Sequence, residues 1–461
     1  MALSLTQGWS REGDTMRDGA LWQREHQAGD LSAMRSADRR GGTYLRYFPA
    51  PLDESMAPYV TAEAMATVSD VAIAVARIGQ RLRERPMPIL YATLVRSESI
   101  SSSWVEGLRE TPRNVMVAQL REQDPGLEGY QFARLGTART ILGNLDSVRR
   151  GVESLREPWT DASVHEIHRA IAPHAHDGAY RSVDVQIGGT SKVTASYVAP
   201  PAAHVPGLMT NLLDHANRSG DTPLVKAAIL HAQFETIHPY EDGNGRTGRV
   251  LVHGYLARAG LLDQGVLPLS VVLRKDTDEY VRQLTAYRHG APEDRQAAVS
   301  GFVAWFAETL GRSCEEAERV MAAAGEVEAD WAERTARFRA DSRVHAALRV
   351  LAEQPVVTAR YLQTALDASK PTARTVVDNL VEAGILEPSG GRFRRAEVYQ
   401  ASALLRMMDR LVPGVQPTAL PRATPASSSQ PSSRPTSQPS SQPSSWPAQQ
   451  PAGRPEPQRG P

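Results

Sequence analysis

The chain has 461 residues, enough for two or three domains. Its 52 basic and 52 acidic residues cancel, which excludes a strong nucleic-acid or membrane field over the whole protein. The single cysteine, Cys314, excludes an intramolecular disulfide, fits a reducing compartment and reads most simply as a small buried apolar residue.

The first residues, MALSLTQGWSREGD, lack a basic start followed by an apolar run, so no signal peptide is expected. No segment carries the long apolar run of a membrane helix. The expectation is a soluble cytoplasmic protein with no membrane partner. Residues 1–43 are polar and rich in Arg and Gly, and are expected to be disordered. A region 44–125 follows. Its helical periodicity over 62–85 ends at Pro86 and Pro88, and a second helix runs over 89–106 to a stop at Gly107. Further helices are predicted over 126–152 and 161–172, the latter capped by Thr160 or Asp161. Residues 182–201 alternate Val and Ile around Gly188-Gly189, the pattern of a β-hairpin. The stretch 224–237 is apolar on most of its circumference and reads as a buried central helix. Helices are then predicted over 246–259, 276–287 and 295–312. A helical connector occupies 313–340. In the last folded region, 341–412, the stretch 356–388 reads helix, turn, helix with the second helix starting near Ser369, and SGGRFRRAEVY reads as a β-wing. From 413 to 461 the composition is Pro/Ser/Gln-rich, the mark of a disordered tail.

One segment stands apart: HPYEDGNGRTGR, His238 to Arg249. Gly243 and Gly245 allow a tight turn whose N–H groups approach a ligand, and Asn244 between them offers an amide donor. Arg246 and Arg249 are three apart and share a face if a helix starts here. Amide groups feeding a helix N-terminus, beside two arginines, make a site for a polyphosphate. His238 sits upstream as a candidate base, and Asp242 as a candidate metal ligand. Taken singly, each residue has a plainer reading: a structural histidine, a turn, solvent-facing arginines. It is their order in one short segment that points to chemistry.

The segment resembles the signature of the Fic (filamentation induced by cAMP) family, H-P-F-x-D/E-G-N-G-R-x-x-R. Tyr240 is the single departure, keeping an aromatic ring and adding a hydroxyl that needs a partner if buried. The likeness covers about 178–287, and 44–108 more loosely. It implies a mainly α fold: a Fic-type helical bundle, here 126–312, with a β-hairpin flap, beside a winged helix-turn-helix module and the tail. It also implies transfer of AMP from ATP, with Mg²⁺, to a hydroxyl of a protein side chain. His238 would be the base. Asp242 would hold the Mg²⁺. Gly243, Asn244 and Gly245 would form the anion hole, with Thr247 and Gly248 in the same nucleotide-binding segment. Arg246 would reach the β-phosphate and Arg249 the γ-phosphate. The flap, 183–197, would align the target by strand addition, with Lys192, Val193, Thr194, Ala195, Ser196 and Tyr197 nearest the nucleotide. Tyr280 lies where relatives carry an aromatic that touches adenine.

Ser102 and Glu106 in RSESISSSWVEG lie one helical turn apart. They resemble the family's inhibitory motif [S/T]-x-x-x-E-[G/N], whose glutamate would occupy Arg249 and repel the nucleotide. The motif precedes the signature in the same chain, so inhibition would be intramolecular. In the C-terminal module, Lys370, Thr372, Arg374, Thr375 and the wing residues Arg392, Arg394 and Arg395 are the groove-facing candidates for DNA. The module's charges nearly balance, so contact with protein, including a homodimer, is the equal alternative. The target is an unknown protein, the chain itself included. Alternatives to AMP transfer are AMP removal, transfer of another nucleotide, and a winged-helix regulator that uses the Fic domain as a nucleotide sensor. His165-Glu166-Ile167-His168 is not a zinc-protease pattern, since that needs histidines four apart.

Overall fold

Proline and short polar side chains set most helix starts in this chain. The computed structural model describes residues 21–84, 87–124, 127, 135–173, 179–262, 265–389 and 397–412. All of them fall within the first of its two compact units, Met1–Leu420. Strands β1 (Leu21–Ala28) and β2 (Gly41–Phe48) form an antiparallel hairpin in register Leu21↔Phe48, with α1 (Ser36–Arg40) in the connection. Next come α2 (Ala62–Glu84), α3 (Pro88–Val105), α4 (Pro112–Gln123), α5 (Leu135–Ser154) and α6 (Asp161–Ile171). Strands β3 (Gln186–Ile187) and β4 (Tyr197–Val198) pair antiparallel. Five helices follow: α7 (Val205–Arg218), α8 (Pro223–Ile237), α9 (Asn244–Arg258), α10 (Leu269–Leu273) and α11 (Thr277–Tyr287). The long α12 (Arg295–Thr335) leads to α13 (Arg343–Glu353), β5 (Val356–Thr358), α14 (Ala359–Ala365), α15 (Lys370–Glu382), β6 (Glu387–Pro388), β7 (Val398–Gln400) and α16 (Ser402–Leu411). The last three strands form one sheet in the order β5-β7-β6.

Proline within the first two positions opens α3, α4, α7, α8 and α15, where its missing N–H costs nothing. Thr160 and Ser163 form a reciprocal capping box on α6, and Ser369 caps α15 through Thr372 N. Gly107, Gly260 and Gly384 take positive φ where α3, α9 and α15 stop. The centre of the fold is the pair α8 and α9, buried along nearly their whole length. Helices α3, α5 and α12 pack around this pair, which places the HPYEDGNG loop between α6, α3 and the β3–β4 hairpin.

Mainly α architecture with small sheets is what the sequence predicts, and three details differ. Residues 21–43 were expected to be disordered; they fold into β1, α1 and the start of β2. Their polar side chains find partners across the pleat and beyond it, as Arg46 does with Glu25, Asp184 and the Ala199 carbonyl. The helix over 295–312 and the connector 313–340 are one helix, α12. Gly311 near the boundary does not break it, and Cys314, Ala317, Val320, Ala324 and Trp331 continue one buried stripe. The hairpin of 182–201 is real but has only two residue pairs, with 188–196 as its loop. The tail, and the wing residues Arg392, Arg394 and Arg395, lie outside the described residues.

Candidate functional site

Helix α8 ends at Ile237 because Pro239 bars continuation and pushes His238 out of the right-handed helical region. His238 sits at φ 51°, ψ 62°, while its N–H still donates to the Phe234 carbonyl at 2.9 Å. A left-handed non-glycine residue costs about 1–2 kcal/mol. The surroundings hold it there: Arg181 Nε donates to the His238 carbonyl at 2.8 Å, and Arg181 N to the Pro239 carbonyl at 2.9 Å. Arg181 also donates to Pro200 at 2.6 Å, tying the flap's far end to the histidine's backbone. Burial brings the His238 imidazole down to about 4, against the opposing pull of the Glu106 carboxylate. The ring is therefore neutral near pH 7, with a lone pair available.

The loop after His238 is clamped by α6. Tyr240 stacks on His168, with ring centroids 3.6 Å apart and planes at 4°. Its hydroxyl meets His165 Nδ1 at 2.8 Å, which supplies the partner that the tyrosine requires. His168 Nε2 lies 2.9 Å from the Asp242 carbonyl. The two histidines of His165-Glu166-Ile167-His168 thus both hold the loop. Asn244 accepts from Tyr240 N at 2.9 Å and donates to Tyr240 O at 2.8 Å. Its side-chain amide closes the loop on Tyr240 and leaves its backbone N–H in the first turn of α9. Gly243, at φ 81°, is the N-cap of α9, so Asn244 and Gly245 already lie in the helix's first turn rather than in a loop. The helix N-terminus brings partial positive charge to this point.

Two cation–carboxylate pairs define the mouth of α9. Arg246 is buried, donating to the Ile171 carbonyl at 3.1 Å and to Asp242 Oδ2 at 3.1 Å. The Asp242 carboxylate is itself 73% exposed. Arg249 is fully enclosed. Its Nε donates to Ser102 Oγ at 2.9 Å, and its NH2 donates to the Ser102 carbonyl at 2.8 Å and to Glu106 Oε1 at 2.9 Å. Burial disfavours the Arg249 cation, but Glu106, Tyr280 and Glu235 together outweigh it and hold the group above its ordinary range. A Cβ on Gly245 would stand 2.0 Å from Glu106 Oε1, so the carboxylate lies directly over the first turn of α9. An anion from the chain's own α3 therefore occupies the position where helix and arginine jointly attract one.

Several buried polar atoms here find no hydrogen-bond partner among the described residues: Thr247 Oγ1, Arg246 Nε, Arg249 NH1 and Glu235 Oε1. Orphans of this kind normally call for a ligand or water. Behind Arg249, burial pushes the Glu235 carboxyl up to about 7, against the pull of Arg249. A Cβ on Gly248 would meet Glu235 Oε1 at 2.6 Å, which explains the glycine there. Tyr280 is buried; its hydroxyl lies 2.9 Å from His231 Nε2 and its ring beside Trp305. It packs beside Arg249 and Glu235.

Of the flap residues, Tyr197 is buried, donating to the Thr236 carbonyl at 2.6 Å under the Arg288 guanidinium, whose carbon stands 3.6 Å from the ring centroid. Lys192 pairs with Asp184 at 2.7 Å, Val193 packs against Gly42, Thr194 caps the loop's own amides, and Ser196 is exposed beside the half-buried Ala195. Far from this site, Lys370 opens α15. Arg374 pairs with Asp378 at 3.2 Å and with Glu397 at 3.1 Å, so carboxylates already answer its charge. Arg181, His165, His168 and Glu235 were not singled out as site residues by the sequence; their roles depend on contacts over long separations that leave no local pattern.

Among the described residues, no group of three or more His, Cys, Asp or Glu could hold a metal by itself. One exposed carboxylate, Asp242, beside a helix N-terminus is the set that Mg²⁺ takes when phosphate oxygens supply the rest. The residues therefore fit the ion.

The Fic/DOC family profile matches residues 158–256. A "Probable protein adenylyltransferase" of Aquifex aeolicus is 33% identical over 203 residues, 43% of this chain and 56% of the relative. "Protein adenylyltransferase Fic" of Nematostella vectensis is 33% identical over 161 residues, 32% of this chain and 34% of the relative. A "Fido domain-containing protein" of Dictyostelium discoideum is 32% identical over 108 residues, 23% of this chain and 69% of the relative. The chain thus spans about half the length of the first of these and about a third of the second. With the signature segment inside the matched region and seated at the mouth of α9, the chain belongs to the Fic/DOC family.

Proposed function

We propose that the protein is a protein adenylyltransferase that moves AMP from ATP to a hydroxyl on a protein, and that Glu106 holds it off. The carrying observation is the Glu106 carboxylate over Gly245 and on Arg249, an anion seated at the mouth of α9. A nucleotide's terminal phosphate is the competing anion for that guanidinium. ATP is the natural donor, because the relatives named above carry adenylyl transfer in their names.

Each residue then has one task. Neutral His238 takes the proton of the attacking hydroxyl. The N-terminal turn of α9 receives the phosphates through backbone N–H groups. Arg246 and Arg249 neutralise charge that builds on the pyrophosphate as it leaves. Asp242 would hold Mg²⁺, which supplies charge neutralisation on the phosphates when bound. The bond between the α-phosphorus and the bridging oxygen breaks, a phosphorus–oxygen bond to the target forms, and the hydroxyl proton passes to His238. The flap presents the target's main chain. The acceptor is a protein, the chain itself included, and a reducing, ATP-supplied cytoplasm suits the enzyme. No helix among the described residues is long and apolar enough to cross a membrane.

Incubation with ATP labelled at the α-phosphate tests this reading. His238→Ala is expected to lose about 10²- to 10⁴-fold in transfer while still binding ATP. Undiminished labelling by that variant would remove His238 from the mechanism.

A further inference from the structure

The β3–β4 hairpin is too small to hold its own shape. It has two residue pairs and a loop opened by Gly188 and Gly189 at φ 69° and 73°. An isolated two-stranded hairpin is marginal in water even when longer. Its order comes instead from the N-terminal β1–β2 hairpin. Asp38, on α1 and only 9% exposed, accepts hydrogen bonds from the hydroxyls of Thr190 and Ser191, the latter at 2.5 Å, with the Thr194 hydroxyl at 3.5 Å. Gln27 accepts from Lys192 N at 3.0 Å. Val193 packs over Gly42, where a Cβ would come within 3.2 Å. Arg46 and Lys192 both reach Asp184 at 2.7 Å, at the flap's entry.

We infer that Asp38 is a positioning residue for target recognition, acting through Thr190 and Ser191 to hold the flap loop in the shape an incoming strand needs. This rests on the transferase reading above. Strand addition needs an edge that is already ordered, and a loop free to sample many conformations presents that edge only part of the time. Asp38 bonds to the flap hydroxyls and not to the residues at the mouth of α9, so its loss leaves that helix end intact.

The test uses the full chain carrying Glu106→Gly, with the protein itself as acceptor, and the added variants Asp38→Ala, Ser191→Ala and the pair together. Three quantities are read: AMP incorporation from labelled ATP, ATP affinity by calorimetry, and hydrogen exchange of the amides in 188–196. Asp38→Ala is expected to speed exchange across the loop and cut incorporation by about tenfold, with ATP affinity unchanged. Ser191→Ala, which changes the other end of the contact, is expected to move both readouts the same way and to add little once Asp38 is gone. Unchanged exchange, or faster exchange with undiminished incorporation, overturns the inference. Loss of ATP affinity in parallel with incorporation also overturns it, since that marks general damage. If the Glu106→Gly parent incorporates no AMP at all, the transferase reading itself fails, and this inference with it.

Discussion

Arg249 is the residue on which both proposed states of the protein turn. Enclosed, with Ser102 on its Nε and Glu106 on its NH2, it gives up only one partner if a phosphate takes the glutamate's place. Gly245 reports on that exchange. In an ordinary helix, replacing Gly by Ala stabilises by about 1 kcal/mol. Here the new methyl meets the Glu106 carboxylate, so Gly245→Ala is expected to lower the unfolding midpoint. In a Glu106→Gly background the same change is expected to be neutral or stabilising. A thermal-melt double-mutant cycle measures both, and additive effects would place Glu106 elsewhere. The second prediction at this scale concerns pH. With its imidazole held down to about 4 from an ordinary value near 6.5, His238 stays unprotonated as pH falls from 8 to 6. Removal of Glu106 takes away a group that raises it, so the inflection moves lower still. The kcat/KM profile of Glu106→Gly should therefore stay flat through pH 6.5; an inflection there would assign the base elsewhere.

Among the elements, the HPYEDGNG loop is held from α6, and Tyr240 is where the sequence departs from the family's usual phenylalanine. Tyr240→Phe keeps the stack on His168 and loses the bond to His165, so it should cost about 0.5–1.5 kcal/mol in denaturant unfolding with ATP binding retained. A larger loss, or loss of ATP binding, would mean the hydroxyl does more than satisfy a partner. The periodic, capped elements were legible: α2, α3, α6, α8 and α11 lie where apolar spacing, prolines and cap residues put them. The adjacency of Glu106 to Arg249 was also legible, through the resemblance. Other features were not. The β1–β2 hairpin has no clean apolar alternation, because beside the buried Tyr47 and Phe48 many of its contacts are polar: Arg46 with Glu25 and Asp184, Asp38 with flap hydroxyls. The continuity of α12 is not legible at Gly311, a helix-weakening residue beside the expected end at 312, yet in the fold that glycine lies inside the helix against Val71. The side-chain bonds of Asn244 to Tyr240 were not legible either, because a local bond and a ligand contact leave the same sequence trace.

Across the molecule, α3 links the brake to the C-terminal elements. Its end carries Glu106, while its buried Arg96 donates to the carbonyls of Ala352 and Glu353 at the end of α13. Arg113 on α4 donates to Ser389 at 2.7 Å, and Gln354 donates to the Met116 carbonyl at 2.9 Å. The region after α12 is therefore seated on the helices that flank the brake, and moving α3 disturbs buried polar contacts at both ends. The proposed function predicts one act: with Glu106 off Arg249, the chain transfers AMP through His238. Intact-mass spectrometry after incubation with ATP and Mg²⁺ measures it directly. Glu106→Gly is expected to gain the mass of one or more adenosine monophosphates, at a rate at least about tenfold above the unaltered chain, the equivalent of about 1.4 kcal/mol released at Arg249. Glu106→Gly with His238→Ala is expected to gain none. An unmodified Glu106→Gly protein, or equal modification when His238 is absent, would contradict the account.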